Sequence, residues 1–225
     1  MSAAGTEPAW RRATAGERRF AVALGIAAAA VLQALLPTRF SLLPSGVVVT
    51  LEVLAFIATA AVNPVRLERE HPVGRYGSLG LLSIIIIANA GSAGLLIGRL
   101  VQGTAGRSAT PLLLSGASIY VTNVIAFAYA YWAFDRGGPV ARSRAVRRHP
   151  DLLFPQMANP DMADPDWEPW FLDYLYVSST NALAFSPTDT LPLARWAKVL
   201  MLAQSLISIV TVALVVARAV NILPG

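Results

Sequence analysis

Glu52, Asn89, Asn123 and Gln204 are the side chains in this sequence best placed to do chemistry. Each falls near the middle of a long apolar run, where polar groups are expensive. A carboxylate at the centre of a bilayer costs about 2.5–3.5 kcal/mol on insertion scales. Residues carried at that cost either line ion or proton paths or hold helices together. In the last apolar run Gln204 is joined by Ser205 and Ser208, which share its helical face at i, i+1 and i+4. Asn181 adds a further amide in a shorter, semi-polar stretch. A midplane ring of Glu52, Asn89, Asn123 and Gln204 would handle protons or cations. The same four residues used as structural glue would exchange hydrogen bonds worth roughly 1 kcal/mol each. Their types alone leave both open.

The elements that position them are membrane helices. The chain has 225 residues, of which 55% are hydrophobic and 14% charged, against roughly 25% charged in a soluble domain. With a mean hydropathy of +0.55 and several apolar runs near the roughly 20 residues a span requires, the expected fold is an all-α polytopic bundle. Five spans are expected at about 20–36, 45–62, 77–101, 111–134 and 196–222. Pro37 stops the first and Asn63-Pro64 breaks the second. The first 18 residues read as a disordered cytoplasmic tail, and 19–225 as one membrane domain. Arg18-Arg19-Phe20 ahead of an apolar run could open a signal peptide, but no small-residue cleavage site follows, so an uncleaved first span is expected. Gly94-x-x-x-Gly98, extended by Ala90, is a small-residue face expected to pack within the chain. The five tryptophans fall near predicted boundaries, where interfacial rings belong.

The formal charge of +5 points to membrane orientation rather than nucleic acid, because the arginines flank apolar runs and fill two loops. They cluster at Arg11, Arg12, Arg18 and Arg19, at Arg66, Arg69 and Arg75, and most densely in the loop 135–169. The positive-inside rule places the N-terminus and that loop in the cytoplasm. The loop is basic first (Arg142, Arg144, Arg147, Arg148) and acidic later (Asp161, Asp164, Asp166, Glu168), a surface suited to a cytoplasmic partner. Arginine over lysine and abundant alanine suggest a GC-rich bacterial genome, hence a bacterial inner membrane. With no cysteine, and both histidines in loops, no metal ligand set or cofactor site is expected.

Between the long loop and the last span lies 170–189, a semi-polar segment ending Ala184-Phe185-Ser186-Pro187-Thr188-Asp189, with Pro192 beyond. It either re-enters the membrane or crosses it as a sixth span. The stretch from Asp173 to Arg218 resembles the pore region of tetrameric potassium channels, in which a Tyr-x-Ser segment leads to a glycine-containing filter, an aspartate and a proline. That resemblance makes Phe185, Ser186, Pro187, Thr188 and Asp189 the filter-like residues. Both filter glycines are missing, and Pro187 fixes φ near −65°, so carbonyls cannot stack as a potassium filter stacks them. Ser186, Thr188 and Asp189 would instead line a hydrated constriction, or make a turn that caps the following helix. A wider series is similar to an uncharacterised bacterial integral-membrane family of unknown function: Tyr129 to Asp135, Leu153-Phe154-Pro155, Asp173 to Tyr176, and Phe185 to Asp189. That resemblance covers about Pro111 to Leu223 and implies a shared membrane fold, with no substrate or reaction.

Three functions follow. A channel-like or transport protein, handling cations or protons, would use Glu52 and the 186–189 turn and would assemble as a homo-oligomer, since one pore segment cannot enclose an axis. A non-conducting scaffold would use the 135–169 loop to dock a partner. An enzyme comes last, because no nucleophile–base pair, metal cluster or phosphate loop is visible. The channel-like reading is preferred for its gap-free pore layout.

Overall fold

Proline and glycine punctuation fixes most of the helix ends. A computed structural model describes residues 7–62, 65–67, 71–106, 108–184 and 189–222. The filter-like residues Phe185, Ser186, Pro187 and Thr188 lie outside these, as do Asn63, Pro64, Arg69 and Arg107. The described chain is an all-α bundle of eight helices: α1 Phe20–Ala34, α2 Ser45–Val62, α3 Pro72–Val101, α4 Ala109–Phe134, α5 Pro139–Ser143, α6 Pro155–Ala158, α7 Phe171–Ala184 and α8 Arg195–Ile222. Pro72, Pro139 and Pro155 sit at helix starts, where a missing N–H costs nothing and the fixed φ suits the first turn. His71 completes the start of α3, its Nδ1 accepting from the Val73 amide at 3.2 Å. That cap is why α3 begins five residues ahead of the expected Gly77.

Four helices, α2, α3, α4 and α8, are long and apolar enough to cross a membrane; α1, with 15 residues, is shorter. α4 is the hub, packed against α1, α3, α7 and α8, whereas α2 touches chiefly α1 and α3. Outward faces stay apolar: Leu51, Leu54 and Ile57 on α2 and Val199, Leu202 and Leu206 on α8 are exposed. A surface of that kind belongs in hydrocarbon rather than in water.

All the long connections gather at two ends. At one end the N-terminal segment meets the α2–α3 connection, where the Arg19 amide donates to the Val65 carbonyl (3.1 Å) and the Leu67 amide to the Glu17 carbonyl (3.2 Å). The segment also meets the long loop, through Ala9 to Pro165 (3.0 Å) and Thr14 to Ser143 (2.8 Å). Residues 7–19 are therefore folded, not the expected disordered tail, with Trp10 and Glu17 buried. The reason is that the long loop offers them backbone partners and a buried aromatic seat. Trp10 and Trp132 are accordingly buried rather than set in a lipid-facing belt. The opposite end holds the turn at 38–40, with Phe40 packed among Leu36, Leu96 and Leu100.

The path of the chain around α7 is informative. α7 starts at the end where α4 finishes, with Tyr174 bonded to Asp135. Further along, Ser178 reaches the Val124 carbonyl on α4. After α7 the chain is back at the same end: β2 (Leu191–Pro192) pairs antiparallel with β1 (Leu152–Leu153). The Leu193 amide donates to the Asp151 carbonyl at 2.9 Å, and Trp196 lies edge-on to Phe134 at 5.7 Å. α8 then runs antiparallel to α4, through Asn123–Ser208 to Gly116–Val215. α7 and α8 thus enter from one end of the bundle. With 14 residues, α7 is roughly 21 Å long, short of the roughly 30 Å hydrocarbon thickness.

The expected internal use of the GxxxG face is corrected. A Cβ added at Gly94 or Gly98 would meet nothing within 4 Å, while at Gly116 it would lie 2.8 Å from both Val215 methyls. The close α4–α8 approach depends on Gly116. Gly116→Val should lower stability by about 1–3 kcal/mol through overpacking, whereas Gly94→Ala should be neutral or slightly stabilising. Thermal unfolding of both variants in one detergent checks the contrast.

Candidate functional site

Many of the buried polar residues fall into three groups, each fixed by the helices that carry it. The largest joins α4, α7 and α8. Gln204 Oε1 accepts from Tyr131 Oη at 2.7 Å and from Asn181 Nδ2 at 2.8 Å. Gln204 Nε2 donates to the Ser178 hydroxyl (2.7 Å) and carbonyl (3.0 Å). Asn181 Nδ2 also donates to the Met201 carbonyl at 3.0 Å, and Ser178 passes its own proton to the Val124 carbonyl at 2.6 Å. Gln204 is fully enclosed and uses both ends of its amide. Such a network fixes the rotation of α7 against both neighbours, since an apolar setting makes any unmade bond costly. One turn further along α8, Asn123 donates to Ser208 at 3.2 Å.

The second group lies between α1 and α2. Glu52 is fully buried, and its Oε1 accepts from Gln33 Nε2 at 2.7 Å. Its other oxygen has no hydrogen-bond partner, and neither has Asn89 Oδ1 on α3. The hydrogen bonds therefore do not close the expected ring of Glu52, Asn89, Asn123 and Gln204. The cause is the packing order, since α2 faces α1 and α3 while Gln204 faces α4 and α7. Of the sequence-derived set, Asn181 and Gln204 meet directly, Asn123 sits nearby on Ser208, and Glu52 finds a residue, Gln33, that the sequence did not single out.

The third group lies at the loop-rich end and was missed as a site. Asp135, fully buried just past α4, accepts from Tyr174 Oη at 2.6 Å and from the Asp151 and Leu152 amides at 3.1 and 3.3 Å. Arg142 donates to the Trp132 and Asp135 carbonyls, closing the C-terminus of α4. Its guanidinium also stands 5.0 Å from the Tyr174 ring. Phe154 packs edge-on against Tyr174 at 5.4 Å. The available signal was the ordered series Tyr129–Asp135, Leu153–Pro155, Asp173–Tyr176, whose members converge here.

Glu17 completes this group. Its two oxygens accept from Trp132 Nε1 (2.6 Å) and from the Phe171 amide (2.7 Å), which starts α7. Burial raises the Glu17 carboxyl above its ordinary value of 4.5, outweighing the lowering by Trp132, Phe171 and Arg142. Among the described residues no cluster of His, Cys, Asp and Glu has the makings of a metal site. Asp189, the described member of the filter-like set, precedes the buried Thr190 and β2. No protein-family model, curated protein or solved structure matches the chain.

Two outcomes follow. Gln204→Leu strands the Tyr131 and Asn181 donors and should cost about 1–3 kcal/mol, read as a fall in unfolding midpoint in detergent. A raised Glu17 means the folded chain binds a proton more tightly than the unfolded one. Stability should therefore fall as pH rises from 4.5 to the folded-state value and then level off. Glu17→Gln should flatten that slope in a pH series of thermal melts.

Proposed function

We propose that this is a channel-like or transport-type integral membrane protein of the bacterial inner membrane, handling cations or protons. In this reading α1, α2, α3, α4 and α8 are five spans, and α7 is a re-entrant pore-like helix. The observation that carries it is the return of the chain: α7 starts, and β2 and α8 follow, at the same end of the bundle. That end also holds the arginine-rich N-terminus and the 135–169 loop, so the positive-inside rule makes it cytoplasmic. Five crossings then put the C-terminus outside.

A single re-entrant helix encloses no axis, so the working form is a homo-oligomer. The outward faces of α7 (Leu172, Tyr176, Leu183) and the open Gly94–Gly98 face of α3 are surfaces where further copies or lipid would fit. Glu52 is the preferred ionisable group on a path. It is buried, it has one oxygen without a hydrogen-bond partner, and Asn89 on the neighbouring helix has another. Ser186, Thr188 and Asp189, the first two outside the described residues, would line the constriction through their side chains, without potassium selectivity. No enzymatic step, cofactor or nucleic acid enters this reading.

A second reading, a non-conducting scaffold, is favoured by one observation. The polar side chains of α7, Ser178 and Asn181, are spent on α4 and α8 rather than on an aqueous path. The 135–169 loop would then be the docking surface. Its acidic half already holds the chain's own N-terminal segment, through Arg12 to Asp166 and Thr14 to Glu168.

With no native cysteine, topology is directly testable. Leu191→Cys and Val146→Cys should label from the same side, and Gln102→Cys from the other. Labelling of Leu191→Cys together with Gln102→Cys would make α7 a sixth span. For function, liposomes holding wild type should pass protons or monovalent cations, and Glu52→Gln or Asp189→Ala should cut that flux severalfold. Folded, oriented protein with no flux selects the scaffold.

A further inference from the structure

The loop-rich end contains a cavity of about 80 Å³ that shares only Trp132 with the three polar groups. By size it has room for on the order of five water molecules. It lies where four helices start or finish: before α1 (Arg19), in the last turn of α2 (Thr59), over the first turns of α3 (His71 to Leu79), and along the last turns of α4 (Tyr129 to Ala133). α5 and the Gly137-Gly138 turn close its loop side.

Its chemistry is two-sided. One wall is apolar, with Val22, Ile26, Leu79 and Val140. The other carries two guanidinium groups held in place by the fold. Arg19 is buried, donates to the Thr59 carbonyl at 2.8 Å, and lies 4.7 Å from the Phe56 ring. Arg75 donates to the Gly137 carbonyl at 2.8 Å and the Ala133 carbonyl at 3.3 Å. Gly138, at φ +99°, lets the chain pass beneath that guanidinium, since a Cβ there would sit 2.6 Å from Arg75 Nη1. The described lining residues include no carboxylate; Glu68 and Glu70 fall in 68–70, outside the described residues. Phe20, Val73 and Tyr76, adjacent in sequence to lining residues, are exposed apolar side chains on the first turns of α1 and α3.

The geometry points to a binding site for the phosphate headgroup of an anionic phospholipid, with its acyl chains along the apolar wall and the exposed rim. Two fixed cations beside hydrocarbon, at the depth of the headgroups, are what such an amphiphile recognises. A free phosphate shares the headgroup chemistry but gains nothing from the apolar wall. The site is separate from the re-entrant helix and does not depend on conduction.

The test is native mass spectrometry of the purified protein in detergent, titrated with phosphatidylglycerol, phosphatidylcholine or inorganic phosphate. One tightly retained phosphatidylglycerol, with phosphatidylcholine much weaker, is expected. Arg75→Gln should weaken it about fivefold, the usual effect of removing one basic side chain, and Arg75→Lys should largely restore it. Ala141→Glu, which leaves both arginines in place and sets a carboxylate in the cavity wall, should weaken it as well. Equal retention of both lipids, or retention unchanged in Ala141→Glu, overturns the site. Phosphate displacing the lipid at comparable concentration overturns the lipid assignment in favour of a free-anion site.

Discussion

The carboxylate of Asp135 is the point on which the loop-rich half of this protein turns. Among the described residues it closes no ion pair at hydrogen-bonding distance; instead it collects Tyr174 from α7 and two backbone amides from the approach to β1. A buried carboxyl group is tolerated only when its oxygens are hydrogen-bonded, and here the partners come from two chain segments, α7 and the approach to β1. Both must reach the end of α4 for the group to be satisfied. That requirement draws the long loop back onto the bundle, sets the depth at which α7 begins, and brings β2 beside β1. Arg142 supplies positive charge nearby while spending its hydrogen bonds on carbonyls at the end of α4.

From that anchor the polar network along α7 reads as a matter of alignment. α7 has an apolar outer face and an inner face carrying Tyr174, Ser178 and Asn181. In an environment without water these groups bond to α4 and α8 or go unsatisfied. Gln204 serves as the shared partner because its amide donates and accepts in opposite directions. The same hydrogen bonds that would rigidify a scaffold would also hold a pore-like helix at a fixed rotation. Rigidity here is compatible with either use.

Hydropathy made the helices legible. The expected 45–62 is the observed α2, and the starts and ends of α1, α4 and α8 fall within a few residues of expectation. Asn181 and Gln204 were each legible as candidate residues, though not as a pair, because polar residues in apolar runs need partners. Which partners they take was not legible, because it depends on packing order. Glu52 was expected among α3, α4 and α8 but pairs with Gln33, since α2 lies against α1. Glu17 was hidden for a related reason. It sits in a polar, small-residue tail whose local pattern suggests disorder, and its burial is decided by Trp132 and Phe171, 115 and 154 positions later.

That last separation sets an order of assembly. Glu17 leaves the ribosome before any of the helices, yet its acceptor oxygens are filled only when Trp132 and then Phe171 have been made. At about 5–20 residues per second, the interval between Glu17 and Phe171 is roughly 8–30 s. For that time the N-terminal segment waits with its carboxylate in water, while α1 to α4 are made. It is then a latch that shuts late, with β2 and α8 still to be made. Chains stopped short of residue 171 would carry the helices up to α6 with the loop-rich end still open, a state that quality-control proteases can recognise.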